Sequence, residues 1–213
     1  MATLEGKVQT INGVGIGHAL VILFPTAGQT PLLQAVSDAD GNYELKPLLA
    51  GGYELRIDAP GFAGLSVRSL GFEPGELKVL PPIVIEVASL SCAGPYPPHW
   101  IEPIRSADNL SATIASTVVD RKRKPLASVQ VRLQAGIRSR SAVTDADGFF
   151  QIANLEPGLY DVHLHRSGYF DEDIKDLRVQ RGFVAAYGPF GLEKCPLLGC
   201  NPALRKRKII RCE

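Results

Sequence analysis

Ser37-Asp38-Ala39-Asp40-Gly41-Asn42-Tyr43 returns 107 positions later as Thr144-Asp145-Ala146-Asp147-Gly148-Phe149-Phe150. The same offset carries Gly51 onto Gly158, Tyr53 onto Tyr160, Gly61 onto Gly168 and Phe62 onto Tyr169. Toward the N-terminal side the register slips, so that Val8 answers to Val118 and Ala19–Leu23 answers to Ser128–Leu133. One domain is written twice. A fixed internal period sets the domain count more firmly than length does. The expected organisation is a first unit over 1–90, a linker over 91–109, a second unit over 110–194 and a tail over 195–213.

Composition agrees with two small globular units. The chain has 213 residues, 45% of them hydrophobic, and a formal net charge of +1. That charge gives no global attraction to nucleic acid or to an anionic membrane. No run of 18 apolar residues is present, so no spanning helix is expected. The first residues, MATLEGKVQT, lack the basic and apolar regions of a signal peptide.

Strand signals dominate: short apolar runs with period-2 alternation, punctuated by Gly, Pro, Asn and Asp. In the first unit they lie near Leu4–Ile11, His18–Phe24, Leu32–Ser37, Asn42–Leu45, Gly52–Asp58, Leu65–Leu70 and Leu77–Val87. In the second they lie near Ala112–Asp120, Ser128–Leu133, Arg138–Thr144, Phe149–Ile152, Leu159–His165, Asp173–Val179 and Val184–Leu192. No stretch sustains a 3.6-residue apolar period. The fold class is all-β, with about seven strands per unit arranged as a sandwich. Between the units, CAGPYPPHWIEPI reads as a proline-stiffened linker, with Trp100 expected at the seam between the domains.

The pieces SDADGNYEL, LLAGGYELRIDAPGF, TDADGFFQI and LEPGLYDVHLHRSGY resemble the carboxypeptidase regulatory-like domain, a prealbumin-like sandwich related to transthyretin. The resemblance covers most of both halves. It implies two tandem prealbumin-like (immunoglobulin-like) β-sandwiches, a mostly accessory role and an extracellular or cell-surface setting. It specifies no reaction, because function resides in sites grafted onto folds.

The motif has a structural explanation. Asp38 and Asp145 are suited to accept backbone N–H bonds within a tight turn, with Asp40 and Asp147 at its tip, while Gly41 and Gly148 supply the positive φ. Tyr43 and Phe150 then point into the core. Tyr53 and Tyr160 are placed to bond back to the preceding turn and pin a corner. Calcium is the rival reading of D-x-D-G, but the third acidic position and the later bidentate Glu are missing.

His163 and His165 share one face of a strand. Intradiol dioxygenases, which have a similar fold, hold iron with an H-x-H pair and two tyrosines. In the repeat alignment, however, the two histidines fall on Arg56 and Asp58, and Val162 and Leu164 fall on Leu55 and Ile57. That places the histidines on the solvent face. The chain also lacks the terminal Tyr-Arg-Gly-Ser of transthyretin-like hydrolases, and ends in RCE. No cofactor and no catalytic residue are expected; a metal-dependent enzyme through His163 and His165 is the weakest rival.

Cys92, Cys195, Cys200 and Cys212 follow the repeated cores rather than lying inside them. They read as disulfide partners, with free thiols as the alternative; their spacing fits zinc knuckles poorly. The tail also carries Arg205, Lys206, Arg207 and Lys208 ahead of Ile209 and Ile210. Without an aromatic platform this cluster points to docking on a protein rather than on nucleic acid. The sequence therefore reads as a non-enzymatic structural or interaction protein with a protein partner or self-assembly, and no nucleic-acid partner. A carbohydrate- or peptide-binding module is the alternative, with Tyr96 and Trp100 as its few candidate aromatics.

Overall fold

Alternation along each strand builds the core. The computed structural model describes residues 1–28, 30–88, 98, 100–104 and 111–196. In the first unit, β2 (Leu20–Pro25) turns Val21 and Leu23 inward, and they register against Ile57 and Leu55 of β5 (Gly51–Asp58). β3 (Leu33–Val36) and β6 (Leu65–Phe72) flank this pair. The facing layer is β4 (Asn42–Leu48), β1 (Ala2–Gln9) and β7 (Leu77–Val79), with β8 (Ile83–Val84) also running parallel to β1. Each fully buried aliphatic side chain contributes on the order of 1.5–3 kcal/mol before entropy is set against it.

The second unit repeats the plan. One layer is β12 (Arg138–Val143), β11 (Gln130–Ala135), β14 (Gly158–His165) and β15 (Glu172–Val179). The other holds β13 (Phe149–Leu155), β10 (Ala112–Asp120) and β16 (Phe183–Ala186), with β17 (Phe190–Leu192) parallel to β10. The fold is all-β: no helix occurs among the described residues.

Two sequence expectations change in detail. The last strand of each unit, expected as Leu77–Val87 and Val184–Leu192, is broken into β7 and β8 and into β16 and β17. Pro81–Pro82 and Pro189 lie at the breaks, and proline has no N–H to extend a ladder. The second difference lies in the linker. Trp100–Pro103 forms a strand, β9, antiparallel to β16 and parallel to β6. Through β9 the layer β3-β2-β5-β6 of the first unit continues into β16-β10-β13 of the second, giving, with β17 beside β10, one sheet of nine strands among the described residues. Ile101 is fully buried and belongs to a single hydrophobic cluster that draws residues from both units.

Gly41 and Gly148 show why the repeated turn needs glycine. Their φ values are +82° and +70°, and a Cβ there would lie 2.1 Å from the Val8 carbonyl oxygen and 2.5 Å from that of Val118. Both the conformation and the close approach of the backbone exclude a side chain.

Candidate functional site

The repeated acidic motif closes on itself. Asp38 Oδ1 accepts the backbone N–H of Asp40 at 3.0 Å and of Asn42 at 2.8 Å. Asp145 Oδ1 accepts those of Asp147 at 3.0 Å and Phe149 at 2.9 Å. The Asn42 backbone N–H holds the Asp38 carboxyl below its ordinary pKa. Tyr43 and Phe150 are buried beyond the turns. The Tyr53 hydroxyl donates to Leu49 O at 3.0 Å and that of Tyr160 to Glu156 O at 2.9 Å, each reaching back four residues. These residues form turns and corners in both units. Asp120 makes a third such turn, accepting from Lys122 at 2.8 Å and Lys124 at 2.9 Å. The sequence conceals it because the first unit has Thr10 near the matching place, so the repeat gives no signal.

His163 and His165 stand on the outer face of β14, and the alternating Val162 and Leu164 are buried. His163 Nδ1 lies 2.8 Å from Asp173 Oδ1, and His165 Nδ1 lies 2.8 Å from Asp171 Oδ1. They border a shallow hollow of about 460 Å³ with Gln130, Arg132 and Ser141. No group of three or more His, Cys, Asp or Glu side chains among the described residues is arranged to hold a metal ion. Exposed pairs of this kind contribute about 0–1 kcal/mol.

The most heavily built polar cluster lies between the units. Gln180, just past β15, is buried, and its side chain meets β8 twice. Its Oε1 accepts the Val84 N–H at 2.9 Å, and its Nε2 donates to Val84 O at 2.9 Å. Two positions earlier, the Arg178 guanidinium pairs with Glu86, the two side chains being only 12% and 9% exposed. The Tyr187 hydroxyl donates to Arg178 O at 2.5 Å, and burial pushes its pKa up. Close by, the Arg68 guanidinium lies 5.3 Å from the centre of the Trp100 ring. A buried ion pair and a two-point amide clamp both reward one geometry and penalise others, because parting the units would strand desolvated polar groups. In sequence, Arg178 and Glu86 are polar residues within expected strands and Gln180 follows the end of one; alternation alone does not reveal that the packing of one unit on the other buries them.

Cys195 is disulfide-bonded. Cys92, Cys200 and Cys212, the docking candidates Arg205, Lys206, Arg207 and Lys208, and Tyr96 lie outside the described residues. Among the described residues no helix is long and apolar enough to cross a membrane.

The sequence pattern of the carboxypeptidase regulatory-like domain matches residues 3–82 and 113–187. No curated protein matches the chain. Solved structures similar to it include the Bacillus anthracis TIE protein, at 12% identity and a TM-score of 0.33, covering 91% of this chain and 34% of that one. A streptococcal ancillary pilin is similar at 11% identity and a TM-score of 0.33, covering 92% and 62%. The 3-chlorocatechol 1,2-dioxygenase of Rhodococcus opacus 1CP is similar at 14% identity and a TM-score of 0.33, covering 51% and 70%. This chain thus spans about a third of the first and under two thirds of the second. Likenesses at these scores carry no argument about activity.

Proposed function

The chain belongs to the carboxypeptidase regulatory-like domain family, and we propose that it serves as a non-enzymatic structural and interaction element. In this reading it is a stiff tandem spacer, or an assembly component of an appendage, surface or secretion-type machine. What supports the reading is the seam. Tandem domains joined by a loose tether move independently, and their interfaces are small and polar. Here β9 continues a sheet from one unit into the next, and Gln180, Arg178 and Glu86 fasten the units beside it. Such an arrangement fixes the angle between the two units, which a spacer requires and a single catalytic pocket does not.

Small-angle X-ray scattering of the full chain tests the reading. One rigid shape is expected to fit the curve, and Arg178→Ala with Gln180→Ala is expected to broaden the distribution of dimensions. A wild-type curve that requires an ensemble of hinged conformers would overturn it.

A further inference from the structure

The same position is covered in one unit and bare in the other. The 107-residue offset places β7 of the first unit on β16 of the second, Leu77 on Val184 and Val79 on Ala186. In the second unit β9 lies along β16, with Glu102 opposite Val184 and Trp100 opposite Ala186. Val184 is half-buried and Ala186 is 7% exposed. In the first unit β7 ends its sheet: β1 takes one side, and among the described residues no strand pairs with the other. Leu77 and Val79 are 59% and 63% exposed. An unpaired edge with apolar side chains is a template for another strand, and proteins normally blunt such edges with charge or cover.

The chain itself holds a segment that fits there. β9 follows the first unit, and the corresponding stretch after the second unit is the tail: the offset carries Trp100–Pro103 onto Arg207–Ile210. This stretch contributes the apolar pair Ile209–Ile210, directly behind Arg205, Lys206, Arg207 and Lys208. The receiving side is acidic. A groove of about 640 Å³ on the β1 side of β7 is lined by Glu5, Asp38 and Glu44 against Lys7, with Val36 and Val79 as apolar wall, and Lys78 on β7 itself is paired with Glu76. Cationic tail and anionic groove attract, while the two isoleucines have exposed Leu77 and Val79 to bury.

We infer that residues 205–210 of one copy add as a strand to the β7 edge of a second copy. The junction built inside the chain through β9 is thereby repeated between chains. The contact is heterologous, tail to edge, so it propagates head to tail instead of closing as a two-fold dimer. The inference rests on the structural reading above and names its partner.

The test uses full-length chains in three forms. Wild type is expected to show concentration-dependent mass in multiples of the 22.9 kDa chain by light scattering. Leu77→Lys with Val79→Lys blocks the edge, and Ile209→Asp with Ile210→Asp disables the tail. Each variant alone is expected to stay monomeric, with association weakened more than about tenfold. Mixed in equal amounts they are expected to give a dimer and nothing larger, because each retains the half that the other lacks. Both variants change exposed or tail residues, and an unchanged melting curve checks that the sandwiches remain folded. A monomeric wild type, a variant that assembles like wild type, or a mixture that stays monomeric overturns the inference. A monomeric wild type whose β7 amides resist hydrogen exchange also overturns it, in favour of cover by another segment. None of these results touches rigidity, so a stiff monomer would defeat the tail-to-edge contact and leave the spacer reading standing.

Discussion

Tyr43 Oη occupies the space in which a side chain on Gly6 would begin. The two residues are register partners on β1 and β4, and a Cβ on Gly6 would lie 2.3 Å from Oη. The second unit solves the same contact the other way: Ser116 is register partner to Phe150, and the Ser116 hydroxyl donates to Gly188 O at 3.0 Å. Glycine under tyrosine is exchanged for serine under phenylalanine, so the volume is shared differently. The exchange leaves Tyr43 Oη buried without a hydrogen-bond partner among the described residues, and burial pushes its pKa up.

This pair is therefore expected to be coupled. Gly6→Ala lowers stability by about 2 kcal/mol through overpacking. Tyr43→Phe raises it by about 1 kcal/mol by removing an unsatisfied buried hydroxyl. A Cβ on Gly6 would also lie 2.5 Å from Tyr43 Cζ, which Phe retains. The double variant should therefore recover only part of the loss, with a coupling above about 0.5 kcal/mol in urea denaturation. Strictly additive effects would mean that the two sites do not share space.

The Asp38 turn carries a pH signature. Its folded pKa lies below the ordinary 3.8 because the Asn42 N–H bonds to the carboxylate. A depressed carboxyl stabilises the fold above its unfolded pKa and loses that contribution as pH falls through the folded value. Wild type should therefore melt higher than Asp38→Asn near pH 6, with the gap narrowing below about pH 4. A gap independent of pH would contradict the assignment, as would a calcium-dependent rise in melting temperature.

The seam between the units should be costly to damage. Gln180→Ala leaves the Val84 N–H and C=O without their side-chain partner and is expected to cost about 2 kcal/mol. Arg178→Ala strands a buried Glu86 carboxylate and is expected to cost about 3–5 kcal/mol. Unfolding free energies within about 0.5 kcal/mol of wild type, the range of an ordinary surface change, would mean the seam contributes nothing.

The parts of the fold visible in sequence are local ones. The Asp38 and Asp145 turns and the Tyr53 and Tyr160 corners span four residues each, so a short motif specifies them. β9 reads as linker in the sequence because WIEP is short, ends in proline and follows a proline-rich run. Its strand identity comes from β6 and β16, which lie far away in the chain on either side. Arg178 and Gln180 are illegible for a related reason: alternation reports which face of a strand a residue occupies, but not whether another domain covers that face. The repeat is informative about His163 and His165, since their counterparts Arg56 and Asp58 are polar in the first unit.

His163→Ala combined with His165→Ala is expected to change melting temperature by no more than a few degrees. Metal content, measured by elemental analysis of the purified chain, should be the same in variant and wild type. Stoichiometric iron or zinc in wild type that disappears in the double variant would revive a metal-dependent activity at β14.

The rigid junction through β9 is tested most directly by residual dipolar couplings of backbone amides in both units of the full chain. One alignment tensor is expected to fit the couplings of residues 2–84 and 112–192 together, as it would for a single body joined through Ile101. Two tensors differing in magnitude or orientation would show the sandwiches moving independently, and would contradict the spacer.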